Sequence, residues 1–177
     1  MDKIFLIIIF LFPLGYLFYI IIIYTKTKVP YVVTPKKYIP VILENLEVNS
    51  ETIIFDLGCG KGSFLFAASR LKPKKLVGYE LSSLHAWYAR IKNKLLRKKI
   101  EIKRKDFFTA DISQADIIYL FLVPAMVEKI WEKIKKEAKT GAQVVILSDK
   151  LPGVECEKII KTNPKKAHSS NIYFYKI

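Results

Sequence analysis

Residues 53–62 read IIFDLGCGKG, an apolar β-type run that ends in an acid and passes at once into glycines at alternate positions, Gly58, Gly60 and Gly62. Ser63 then opens an apolar stretch with helical character. Only glycine lets a chain turn this sharply and bring its backbone against a ligand without a Cβ clash. The new helix N-terminus offers unpaired N–H groups to a carboxylate or phosphate. Eighteen residues past Gly62, a second β-type run, 75–79, ends in Glu80. A nucleotide-binding fold places an acid there to grip ribose hydroxyls. The alternative is a tight strand-to-helix turn with no ligand, and the second acid argues against it.

The spacing narrows the ligand. A dinucleotide fingerprint is Gly-x-Gly-x-x-Gly, and here the third glycine comes one position early. No Gly-x-x-x-x-Gly-Lys-Ser/Thr is present, which argues against a P-loop. Asp-x-Gly-x-Gly-x-Gly instead resembles motif I of class I S-adenosylmethionine-dependent methyltransferases. The resemblance implies S-adenosylmethionine as cofactor. Asp56, Gly58, Cys59, Gly60 and Gly62 would then hold its methionine end, and Glu80, with Leu81 beside it, its ribose.

From 52 onward, β-type and helical runs alternate. The β-type runs are 52–55, 75–79, 100–103, 116–121 and 143–147, with weaker ones at 157–162 and 171–177. Helical patterns lie at 63–70, 84–97 and 126–138, preceded by one at 36–46 that tolerates Pro40 only in its first turn. Such alternation predicts an α/β, Rossmann-like, mostly parallel sheet with helices on both faces. Ligands of such sheets bind at the carboxyl ends of the strands, so the polar residues expected just after them are Asp56, Glu80 and Asp106. In the methyltransferase class, Asp106 would meet the adenine amino group and Phe107 its ring. The alternative for Asp106 is a helix or turn cap, and Phe107 and Phe108 could equally be core.

Residues 4–24 carry no charge and are almost wholly apolar. At about 1.5 Å per helical residue, about 20 residues span a hydrocarbon core about 30 Å thick. No small-residue cleavage pattern follows, so the expectation is an uncleaved transmembrane anchor over 1–25. Tyr24 sits where an interfacial aromatic would. Asp2 and Lys3 nearly cancel ahead of the run, whereas Lys26, Lys28, Lys36 and Lys37 follow it. The positive-inside rule then places the following domain in the cytoplasm. The expected organisation is anchor 1–25, linker 26–37 with its VPYVVTP segment, and catalytic domain 38–177.

The formal net charge is +14, and from 90 to 105 nine cations face one acid, Glu101. Such a face suits lipid headgroups or plain solvation, and we favour these over nucleic acid. Cys59 and Cys156 are too few for a disulfide framework, and no Cys/His cluster has zinc-ligand spacing, so no metal is expected. A reducing compartment fits, with Cys59 a small buried residue and not a nucleophile.

The stretches 29–35 (VPYVVTP), 56–62, 77–90 (VGYELSSLHAWYAR) and 117–145, in this order, resemble the small membrane-anchored protein-lysine methyltransferases of the ATP synthase c-ring protein and adenine nucleotide translocase. The resemblance implies a membrane-anchored protein-lysine N-methyltransferase acting on a membrane protein. Lys61 stands where those relatives usually have aspartate, and Ser82-Ser83 where they have Asn-Pro. Tyr31, Thr34, Phe121 and Pro124 are the candidates for a substrate channel, and no general base is legible. A small-molecule or lipid methyltransferase, and a non-catalytic cofactor-binding module, are the competing readings. Nucleic-acid amino-methylating enzymes often carry Asn/Asp-Pro-Pro-Tyr after the fourth strand, where this chain has Phe121-Leu-Val-Pro.

Overall fold

The computed structural model describes residues 3–27, 32–148, 150–162 and 171–177, with side chains of the first segment described at 5, 9–22, 24 and 25. The chain divides into two compact units, Met1–Tyr31 and Val32–Ile177. The described part of the first is the helix α1 (Lys3–Thr27), which continues through Pro13. Its described apolar side chains are largely exposed, Phe10, Phe12 and Phe18 among them. Among the described residues no helix is long and apolar enough to cross a membrane. The transmembrane character expected over 4–24 therefore rests on the sequence alone; what the structure adds is a helix there.

The second unit is a seven-stranded sheet in the order β3-β2-β1-β4-β5-β7-β6. Its strands are β1 (Ile53–Leu57), β2 (Lys75–Tyr79), β3 (Ile100–Lys103), β4 (Ile117–Leu120), β5 (Gln143–Ser148), β6 (Lys158–Ile160) and β7 (Asn171–Lys176). Strands β3, β2, β1, β4 and β5 pair in parallel, and β7 runs antiparallel to both β5 and β6. All four residues of β4, and all of β5 after Gln143, are buried, as strands covered on both faces require. The chain leaves β1 for β2 on one side and returns to β4 on the other. The topological switch point therefore lies between the carboxyl ends of β1 and β4.

The helices are α2 (Tyr38–Leu43), α3 (Ser63–Ala68), α4 (Ser83–Leu95) and α5 (Pro124–Glu137). Ile42 of α2, Phe64, Leu65 and Ala68 of α3, and Ala86 and Ala89 of α4 share one core cluster with Ile54, Leu76, Tyr119, Val145 and Phe174. Side chains alternate along a strand. Tyr175, next to Phe174, accordingly turns to the opposite face, where the ring of Trp131 on α5 meets it at 5.3 Å.

Of the boundaries that differ from expectation, three have clear local reasons. β1 continues to Leu57 because both its neighbours keep pairing that far, Tyr79 on one side and Leu120 on the other, so Asp56 lies within the strand and not after it. α4 ends at Leu95, before the left-handed Arg97 (φ 49°). α5 begins at Pro124 and not at 126, because proline's fixed φ and missing N–H suit a first helical position.

Candidate active site

The glycine loop follows β1 directly. Gly58, Gly60 and Gly62 hold φ of 95°, 53° and 78°, in the left-handed region that side chains disfavour. The N–H groups of Gly58 and Cys59 both donate to the Tyr79 carbonyl, at 2.9 and 3.0 Å, lashing the loop to the end of β2. A second glycine-dependent contact lies beneath it. A Cβ on Gly78 of β2 would stand 2.6 Å from both Cys59 Sγ and Leu65 Cδ1, so only hydrogen lets the loop and α3 settle onto the sheet.

Glu80 is the hub of the site. Its Oε2 accepts from Gly60 N–H at 2.8 Å, and its Oε1 accepts from Ser82 N–H at 2.7 Å. Its own N–H donates to the Lys103 carbonyl at 3.0 Å, which ties β2 to β3. Burial raises the Glu80 carboxyl above its ordinary range, and N–H groups of Ser82, Gly60 and Leu81 partly restrain the rise. A carboxylate offers about four lone-pair positions, so acceptor capacity remains for a vicinal diol.

Asp56 is opposite Gly78 in β2 and Tyr119 in β4, and is 3 % exposed. Burial, and secondarily the Glu80 charge, push its carboxyl well above the usual carboxylate range. It has no hydrogen-bond partner among the described residues, so a ligand cation at this end of β1 would relieve a buried charge that those residues leave uncompensated. The residues present thus fit a ligand that carries an ammonium group at one end and a ribose at the other.

The remaining expected residues fall as follows. Cys59 is buried, with its thiol pushed up by burial, which makes it a poor nucleophile. Leu81 is 44 % exposed. Asp106 Oδ1 accepts from Phe108 N–H at 2.9 Å and caps the 3-10 turn Phe107–Thr109, so the capping role is realised. Phe107 is half-buried against Phe108, ring centroids 4.8 Å apart. Thr34 is buried, and its Oγ1 shares a hydrogen bond of 2.9 Å with Tyr119 Oη. Phe121 is half-buried against the core just beyond β4, Pro124 is exposed at the start of α5, and Tyr31 lies outside the described residues.

Sequence reasoning passed over two residues. Gly78 was legible, because a lone glycine inside a β-type run signals close backbone approach. Tyr119 was not, since nothing local distinguishes it from a core aromatic. Its ring stacks on Phe64 at 4.0 Å, and burial pushes its phenol well up, so it stays protonated.

A sheet in this order, with a glycine loop after β1 and an acid at the end of β2, defines a class I S-adenosylmethionine-dependent methyltransferase. Among solved structures, the fold is similar to an RNA methyltransferase from Salinibacter ruber bound to S-adenosyl-L-homocysteine. That likeness has TM-score 0.75 at 25% identity and covers 82% of this chain and 94% of that one. Residues 56–158 match the ANTKMT methyltransferase domain, and the chain belongs to that family. It is 32% identical over 152 residues to a protein-lysine N-methyltransferase of Saccharolobus islandicus, covering 84% of this chain and 94% of that protein. It is 27% identical to the adenine nucleotide translocase lysine N-methyltransferase of Mus musculus, over 68% of this chain and 53% of that protein. The match thus spans about half the length of the mouse relative.

Proposed function

We propose that this methyltransferase modifies a lysine ε-amine of a membrane protein, and that α1 anchors it in the bilayer with the catalytic domain on the cytoplasmic side. The observation that carries the lysine reading is the similarity to the Saccharolobus protein-lysine N-methyltransferase across nearly the full length of both chains. The anchor and its orientation rest on the uncharged run 4–24 and the lysines that follow it.

When bound, S-adenosylmethionine supplies a sulfonium-borne methyl whose leaving group is a neutral thioether, so strong acid catalysis is unnecessary. Asp56 and the backbone of Gly58, Cys59, Gly60 and Gly62 would hold the methionine end, Glu80 and Leu81 the ribose, and Asp106 and Phe107 the adenine. Catalysis is then mainly positioning, for which effective molarities of about 10⁵ M or more are available. The lysine must arrive deprotonated, although its ordinary pKa is about 10.4. An apolar, aromatic-walled approach favours the neutral amine. Thr34, Phe121 and Pro124 are the proposed walls. The Thr34–Tyr119 bond supports this, because it fastens Thr34 onto β4, the strand that lies beside Asp56.

The test is radiolabelled methyl transfer on carbonate-washed native membranes, comparing wild type with Glu80→Ala. We expect the enzyme to remain in the washed pellet and to label a protein band that the variant does not label. Label confined to lipid or small molecules would move the assignment to a lipid or small-molecule methyltransferase. The Salinibacter likeness favours a second reading, an RNA substrate, which label in the RNA fraction would establish.

A further inference from the structure

Amphipathic helices of a globular domain turn their large apolar side chains inward. α4 does the reverse. Its buried face carries His85, Ala86 and Ala89, whereas Leu84, Trp87, Tyr88, Ile91 and Leu95 are exposed, Trp87 by 59 % and Leu95 by 77 %. Steps of three and four residues place these five side chains on one outward stripe. The stripe has a cationic margin. Lys61 Nζ sits 5.4 Å from the Tyr88 ring centroid, Lys92 and Lys94 flank the stripe, and Arg97, Lys98 and Lys99 continue past its end. From 81 to 99 there is no acid.

We propose that the outward face of α4 docks on an anionic lipid surface, with the apolar stripe at the headgroup–acyl boundary and the cations on the headgroups. This adds a second membrane contact, on the catalytic domain itself, and does not depend on the lysine assignment. Charge and shape select lipid over other occupants. A second copy of a chain with net charge +14 would set cation against cation. A nucleic acid would satisfy the cations and stack on Trp87 and Tyr88, but would leave Leu84, Ile91 and Leu95 in water. An interfacial helix with a basic margin, aliphatic side chains and Trp/Tyr satisfies all three groups at a bilayer surface.

The chain has two tryptophans and Trp131 is buried, so Trp87 reports on this face. The full chain, reconstituted with vesicles of phosphatidylcholine and phosphatidylserine, is titrated with brominated phosphatidylcholine. The comparison vesicles are phosphatidylcholine alone, and Trp87→Phe supplies the background. Docking predicts a blue-shifted Trp87 emission that loses most of its intensity in anionic vesicles and recovers in high salt. In Lys94→Glu/Arg97→Glu the apparent affinity should fall by roughly fivefold for each cation reversed. Unquenched emission on anionic vesicles overturns the proposal, as does quenching that is equal on neutral vesicles. Shielding of Trp87 by self-association, or by polyuridylate without vesicles, also overturns it, in favour of a second copy or a nucleic acid.

Discussion

Asp56 stands at the C-terminal part of a central strand, buried, beside Glu80, and without a hydrogen-bond partner among the described residues. A buried carboxyl whose folded-state pKa is raised weakens the fold at every pH above its unfolded value, and that penalty fades as pH falls toward it. At neutral pH the cofactor-free protein carries the penalty, and a cationic ligand group placed there would remove it. Asp56→Asn should therefore stabilise the cofactor-free fold by about 1 kcal/mol, a rise in Tm of roughly 2–4 °C. The same variant should weaken S-adenosylmethionine binding by tenfold or more. Thermal melts and titration calorimetry on one preparation check both halves. A lower Tm in the absence of cofactor would show that Asp56 is a structural residue and not a ligand-facing charge.

The start of α4 illustrates how an element can be set by one side chain. Where relatives in this family usually carry Asn-Pro, this chain has Ser82-Ser83, and Ser82 Oγ accepts from His85 N–H at 3.3 Å as the N-cap, with the helix beginning at Ser83. The Ser82 N–H itself donates to Glu80 Oε1. Ser82 therefore contacts the Glu80 carboxylate through its backbone and starts the helix through its side chain. Ser82→Ala should cost about 1 kcal/mol of stability. Denaturant melts would reveal it as a lower midpoint at unchanged slope, and an unchanged midpoint would mean that the cap contributes nothing. The backbone donor to Glu80 survives the substitution, so cofactor affinity should fall less than it does in Glu80→Ala.

For the whole molecule, opposing titrations shape the dependence of stability on pH. His85 is 2 % exposed, and burial, with Lys61 nearby, lowers its pKa to about 4. Between pH 6.5 and about 4 the unfolded chain takes up a proton there that the folded protein refuses, so stability is lost as pH falls through that window. The loss is at most about 3 kcal/mol. Asp56 and Glu80 act in the opposite sense, because their raised carboxyls make the fold relatively more stable on acidification. The Tm difference between wild type and His85→Gln isolates the histidine. It should shrink or change sign as pH falls from 6.5 to about 4, and a difference that stays constant would place the titrating group elsewhere.

The strand positions, the glycine loop and the acid ending β2 were all legible in the sequence, because each depends on residues close together along the chain. A run of β-branched residues, glycines at alternate positions and an acid at fixed separation are local patterns. The antiparallel β7 between β5 and β6 was not legible, since pairing partners are chosen across the sheet. Nor was the bond between Thr34 and Tyr119, which joins residues 85 positions apart. The lack of a hydrogen-bond partner for Asp56 among the described residues and the outward stripe of α4 belong with these. Periodicity shows that an apolar face exists, and only packing decides which face the core takes; here the alanines took it and left the large side chains outside.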